Sequence, residues 1–205
     1  MKIIVLSDIH MKFENFDLSS YEGVDAILCA GDMTWMGRNR SKEVRLLRRW
    51  VREVAQIAPF YWIPGNHDMR FTDAEFQDIE NTIPCKDRVV QLGDYTVYGV
   101  SLSPCYDKPR MIETCDFVTM NPLAEEAAYD FEPVDIVISH APPHGILDLT
   151  KDARNIGSEC LLKYINTHKP KYVFCGHVHE AAGHARHGST DIYNIACKHM
   201  MLELK

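Results

Sequence analysis

Lys2-Ile3-Ile4-Val5-Leu6-Ser7-Asp8-Ile9-His10 starts as an apolar run and ends in two side chains able to ligate a metal. A short apolar run bounded by polar residues reads as a buried strand. The arrangement recurs four times. Residues 26–30 precede Gly31-Asp32, and residues 60–63 precede Gly65-Asn66-His67-Asp68. Residues 135–138 precede Ser139-His140-Ala141-Pro142, and residues 172–175 precede Gly176-His177-Val178-His179. If these five strands run parallel, their carboxyl ends share one edge, where open α/β sheets bind ligands. Asp8, His10, Asp32, Asn66, His140, His177 and His179 are then scattered in sequence and expected together in space.

Asp8 and His10 are two residues apart, as are His177 and His179. In extended backbone such residues project to the same side, so each pair is expected to reach one ion. Gly31 and Gly65 allow a sharp turn and a close approach at the strand exit. Two carboxylates, four imidazoles and one amide, with no thiolate, suit Mn, Fe, Zn, Co or Ni. Seven ligands exceed the needs of one tetrahedral ion and match two ions sharing a bridging carboxylate. Taken alone, Gly-Asp is a common turn and His140 could be a hydrogen-bonded core histidine; the ordered set of five carries the reading.

The bulk properties set limits. The 205 residues predict a single domain spanning 1–205. The chain is 46% hydrophobic and 25% charged, enough for a sizeable core. A net charge of -7 argues against nonspecific nucleic-acid binding. It leaves nucleotides open as substrates, since bound cations reverse the local sign. No run approaches a membrane span and the first is too short for a signal peptide, so a cytoplasmic protein with no membrane partner is expected. Seven cysteines without a Cys-x-x-Cys pair suggest neither a disulfide framework nor a zinc ribbon, and Cys29 and Cys175 read as core.

Helices are predicted over residues 41–57, from Thr72 (capping-box spacing to Glu75), over 123–129, and from Ser158 to about His168. Strand pairs are predicted at 89–92 with 96–101 and at 183–187 with 191–196, with another edge strand at 200–204. Two sheets covered by helices fit this order. His184, His187 and His199 fall on late strands or turns, His144 reads as a turn residue, and Asn194 has no local chemistry to support a role.

The blocks Asp-x-His, Gly-Asp, Gly-Asn-His-Asp, His and Gly-His-x-His resemble the signature of the calcineurin-like metallophosphoesterase superfamily, from Asp8 to His179. The resemblance implies an α/β fold, a four-layer α/β/β/α sandwich of two mixed sheets flanked by helices. It implies that Asp8, His10, Asp32 and His179 hold one ion, that Asp32 bridges, and that Asn66, His140 and His177 complete the second. His67 would be the general acid and Asp68 would hydrogen-bond and orient its ring. The implied reaction is hydrolysis of a small phosphodiester or phosphomonoester by metal-bound hydroxide, with no phospho-enzyme. The alternatives are a noncatalytic interaction module, disfavoured by the complete ligand set, and a nuclease, disfavoured by the lack of a capping domain or basic face. The Asp-Arg-Gly triplet of the phosphoprotein phosphatases is absent after Asp32. Residues 139–143 and 176–180 look more like the small phosphodiesterase-like members, including brain-expressed metallophosphoesterase-domain proteins. Arg38 is a candidate substrate contact. Residues 105–122, with Tyr106, Asp107, Lys108 and Arg110, form a candidate lid.

Overall fold

The apolar runs form the centres of two sheets in the computed structural model, which describes residues 1–35, 40–105 and 115–205. The first sheet holds β1 (Lys2–Leu6), β2 (Ala26–Cys29), β3 (Phe60–Trp62) and β4 (Thr82–Pro84), all parallel. The second contains β5 (Val89–Leu92), β6 (Tyr95–Val100), β9 (Ile136–Ser139), β10 (Tyr172–Cys175), β11 (Gly183–His187) and β12 (Thr190–Asn194). Its spatial order is β11-β12-β10-β9-β6-β5, with a parallel centre and antiparallel edges. The last strand, β13 (His199–Glu203), returns to the first sheet and lies antiparallel to β1. A short parallel pair, β7 (Ser103–Pro104) with β8 (Val118–Thr119), stands apart.

Side-chain alternation divides the apolar residues between layers. From the first sheet, Ile4, Leu6, Ile27, Cys29, Phe60 and Trp62 face α1 (Arg40–Ile57), whose Leu47, Trp50, Val51 and Val54 form its buried stripe. Ile3, Val5, Leu28 and Ile63 point the other way and meet Val97, Ile136, Ile138 and Phe174 of the second sheet. The outer face of that sheet, with Val137, Val173 and Ile192, packs on Leu161, Tyr164 and Ile165 of α3 (Glu159–His168). A shorter helix, α2 (Pro122–Ala128), precedes Tyr129 of the same cluster. The layers are therefore α/β/β/α, as expected.

Local signals explain most element ends. Ser158 Oγ accepts from the Leu161 N–H at 2.9 Å and starts α3. Lys169 closes it at φ 54°, just before Pro170. Asn121 Oδ1 accepts from the Leu123 N–H at 3.1 Å ahead of Pro122, which suits a first helical turn.

The five ligand-bearing strands divide between the sheets: β1, β2 and β3 belong to the first and β9 and β10 to the second. One expectation needs correction: no α-helix starts at Thr72. Asp73–Glu75 makes one 3-10 turn, and the Thr72 side chain makes no cap bond. Glu75 pairs with Arg40 of α1 instead, and Phe71, Phe76 and Ile79 turn into the core under α1. Tertiary burial of those three residues outweighs the local capping pattern. Among the described residues no helix is long and apolar enough to cross a membrane.

The layering yields a contrast in stability. Leu28 is fully buried between the sheets, whereas Leu123 is 71% exposed. Leu28→Ala is expected to lower unfolding free energy by about 2–5 kcal/mol, and Leu123→Ala by less than about 0.5 kcal/mol. Urea denaturation followed by circular dichroism measures both.

Candidate metal centre

Five loops leave the carboxyl ends of β1, β2, β3, β9 and β10 and bring their polar side chains to one place. Asp8 and Asp32, from neighbouring strands, are both buried. Asp8 Oδ1 lies 3.1 Å from His179 Nε2 and 3.7 Å from His10 Nε2. His10 Nε2 and His179 Nε2 are themselves 3.3 Å apart. On the other side, Asn66 Oδ1 lies 2.9 Å from both His140 Nε2 and His177 Nδ1. Asp32 Oδ2 stands between the two groups, 3.8 Å from His10 Nε2 and 3.4 Å from His140 Nε2. Asp8, His10 and His179 form one set with metal-binding spacing, and Asp8, Asp32 and His140 another.

The donor chemistry fits cations. Two imidazole nitrogens facing each other repel unless a proton or a metal lies between them. Donors bonded to one ion at about 2.0–2.2 Å are separated by about 3.0–3.5 Å, and several of these pairs fall in that range. Asp8 and Asp32 are paired to imidazoles, which are themselves the commonest biological metal ligands.

The backbone is shaped to bring the donors together. Asp8, His10, Asp32 and His177 all have positive φ, at 55°, 45°, 53° and 68°. This is unfavourable for residues with a Cβ and recurs at functional sites. The extended backbone expected for Asp8 and His10 is therefore replaced by a left-handed turn, and the two side chains still converge. His177 and His179 separate, one to each cluster. A Cβ on Gly65 would collide with Asp32 Oδ1 and come within 2.7 Å of His140 Cε1, and one on Gly176 would collide with Asp8 Oδ2. Glycine at both places lets backbone pass against the ligand side chains.

The charges are set by burial and by one another. Burial works against ionised Asp32, but the His140 charge and hydrogen bond outweigh it and hold its pKa below the usual carboxylate range. Asp8 shows the same balance, with the His179 contact the main opposing influence. Burial would keep His140 neutral, yet Asp32 and Asp8 raise its pKa to about 9. Burial and the His140 charge push His177 down to about 4. Burial lowers His10, and the contact with Asp8 raises His179.

All seven candidate ligands are thus gathered. His67 sits at their rim: its backbone N–H donates to Asp32 Oδ1 at 2.7 Å, and its ring Nε2 is 3.9 Å from Asp32 Oδ2. Asp68 departs from expectation, because its carboxylate does not hold the His67 ring. It accepts from Gly65 N–H at 2.9 Å, Met33 N–H at 3.2 Å, Thr34 N–H at 2.8 Å and the Thr34 hydroxyl at 3.0 Å. Those donors occupy the carboxylate and tie the loop after β3 to the loop after β2. Burial and the Asp32 charge raise the pKa of Asp68 to about 7. His67 Nδ1 is buried with no hydrogen-bond partner among the described residues.

Two further residues contribute, Asn194, set aside in the sequence for want of local chemistry, and Trp35, not singled out there. Asn194, at the end of β12, donates to Val178 O at 2.9 Å and Leu147 O at 3.0 Å, securing the loop that carries His177 and His179. Its only sequence signal is a polar residue closing an alternating strand. Trp35 stacks parallel to His67 with ring centroids 5.4 Å apart. Arg38 and residues 106–114, with Tyr106, Asp107, Lys108 and Arg110, lie outside the described residues. The described end of that stretch reaches the site loop, where Asp116 N–H donates to Asn66 O at 3.2 Å. His184 and His187 lie away from the centre, paired with Asp191 and Asn166, and His199 contacts Tyr21.

Comparison with known proteins agrees with this geometry. The Caenorhabditis elegans UPF0046 protein K07C11.7 is 26% identical over 96% of the chain and 69% of its own length. Human metallophosphoesterase domain-containing protein 1 is 25% identical over 94% of the chain, which spans 65% of that longer protein. The structure of a dimetal phosphatase from Danio rerio shares the fold, with a TM-score of 0.58 and 10% identity over 95% of the chain and 86% of its own. The family model for calcineurin-like phosphoesterase matches residues 1–181, so the chain belongs to that family.

Proposed function

We propose that the protein is a two-metal phosphoesterase hydrolysing a small phosphodiester or phosphomonoester. The observation that carries this reading is the pair of donor clusters on either side of Asp32, within 3.8 Å of His10 and 3.4 Å of His140. Asp8, His10, Asp32 and His179 would hold one ion, and Asn66, His140 and His177 would hold the other with Asp32 shared. Two dications there would activate water and neutralise charge developing on the phosphoryl group.

The remaining chemistry belongs to side chains. His67, beside Asp32 and partly exposed, would give its proton to the leaving oxygen. Asp68 would act on the scaffold, joining the loops that present Asp32 and Asn66. The relative named for a metallophosphoesterase domain supports phosphoester hydrolysis.

Protein loaded with Mn, Co, Ni, Fe or Zn is expected to turn over p-nitrophenyl phosphate or bis(p-nitrophenyl) phosphate. Absence of turnover with every one of these metals would sink the proposal. His67→Ala is expected to retain its metal by mass spectrometry and to lose about 10²- to 10⁴-fold in rate on esters with poor leaving groups. Loss of metal in that variant would contradict the assigned role.

Metal loading should also depend on pH. The His140 pKa is raised to about 9, so below that pH its proton must leave before the ring can ligate. Apparent affinity is expected to rise about tenfold per pH unit per displaced proton up to about pH 9 and then level off. Titration calorimetry in buffers of different ionisation enthalpy measures the proton released; no release at pH 7 would count against His140 as a ligand.

A further inference from the structure

The His67 ring has few polar constraints. Its Nδ1 is buried without a partner among the described residues, and its Nε2 stands 3.9 Å from Asp32, beyond hydrogen-bond range. The carboxylate next to it in sequence, Asp68, is occupied by four other donors. Backbone bonds fix the main chain of residue 67 and leave rotation of the ring free. A proton donor with a freely rotating ring delivers its proton poorly, because the transfer needs a defined direction.

Two aromatic contacts supply what the polar groups do not. Trp35 lies parallel to the ring, with an interplanar angle of 4° and centroids 5.4 Å apart. His10 meets the ring edge-on at 85° and 5.1 Å, and meets Trp35 edge-on at 82° and 4.7 Å. Offset-parallel and edge-to-face arrangements are the favoured aromatic geometries. Trp35 is itself tethered: its backbone N–H donates to Glu43 Oε2 at 3.3 Å. The preceding Thr34 hydroxyl donates to His67 O and to Asp68 Oδ1, and Thr34 O lies 3.1 Å from His10 Nδ1. Trp35 is 45% exposed, whereas Trp50 and Trp62 are buried. A tryptophan held at the rim by its backbone therefore gives up burial and gains a face against His67.

We infer that Trp35 is a positioning residue that sets the plane of the His67 ring by stacking. This rests on the proton-donor reading of His67. Stacking restricts ring tilt and leaves both ring nitrogens free of a carboxylate. Nε2 can then be directed at the leaving oxygen without competing for a fixed acceptor.

The test uses the full chain loaded with Mn and a series of phosphate esters whose leaving groups range from p-nitrophenol to phenol to an alkyl alcohol. Protonation of the leaving oxygen matters most for the poorest leaving groups. Trp35→Ala is expected to keep its metal content and to lose about 10- to 100-fold on the phenyl and alkyl esters, and much less on the p-nitrophenyl ester. The dependence of log kcat/KM on leaving-group pKa should steepen towards that of His67→Ala, and Trp35→Phe should restore most of the wild-type slope. In the same samples without Mn, the His67 ring-proton NMR signals, assigned by their loss in His67→Ala, should move on removal of the indole ring current. A uniform loss on every ester with an unchanged slope, or His67 signals that do not move in Trp35→Ala, would overturn the inference. A wild-type slope in His67→Ala would instead defeat the donor reading, and with it this role. A steep slope there beside a wild-type slope in Trp35→Ala would defeat the positioning role alone.

Discussion

Asp8 and Asp32 put two ionised carboxylates side by side in a buried seam, and the local architecture answers that constraint. A buried charge without a partner carries a large desolvation penalty, and two of like sign add repulsion. Here the opposing charge comes from imidazoles whose pKa values the carboxylates raise: His179 against Asp8 and His140 against Asp32. The same pairing explains why His140 is raised to about 9 while His177, beside it, is pushed to about 4. One ring takes the proton that the carboxylates demand, and burial and its charge then keep the next ring neutral. An arrangement that recruits protons in this way is suited to exchanging them for metal ions.

Bringing so many donors within contact distance strains the backbone. Four of the seven candidate ligands have positive φ, and left-handed residues of this kind cost of order 1–3 kcal/mol each. The strain is confined to the loops, where short turns leave rigid buried strands. Gly65 and Gly176 relieve what would otherwise be collisions with Asp32 and Asp8. The Asp68 carboxylate adds a clasp between the loops after β2 and β3, so their strained turns are held from both sides.

Much of this was legible in the sequence. Apolar runs of four or five residues ending in Gly, Asp, His or Asn mark strand exits, because β-structure gives way to turns where polar residues must reach water or a ligand. Both the strand ends and the seven candidate ligands follow from that one pattern. Partner choice was less legible. Asp68 stands next to His67 in sequence, yet its carboxylate is drawn to the nearer backbone N–H groups of Gly65, Met33 and Thr34. Trp35 gave no signal, since a single aromatic in a polar stretch looks like any loop residue until its neighbour in space is known. The 71–79 segment misled for a related reason: Thr72 and Glu75 have capping spacing, but burial of Phe71, Phe76 and Ile79 decides the chain path.

The division of the ligands between the sheets ties the chemistry to the core. Asp8, His10, Asp32 and Asn66 come from strands of the first sheet, and His140, His177 and His179 from the second. All the carboxylates lie on one side of the seam and three of the imidazoles on the other. Neither sheet alone assembles either cluster: Asp8 needs His179, and Asn66 needs His140 and His177. The apolar layer of Ile3, Val5, Leu28, Ile138 and Phe174 that holds the sheets face to face therefore also sets the distances between donors. Cations bound across that seam would favour the packed form over the unfolded chain, so metal binding and sheet packing would reinforce each other. A shift of one sheet against the other would change the cross-seam pairs together, which makes the inter-sheet core as much a determinant of the site as the ligands themselves.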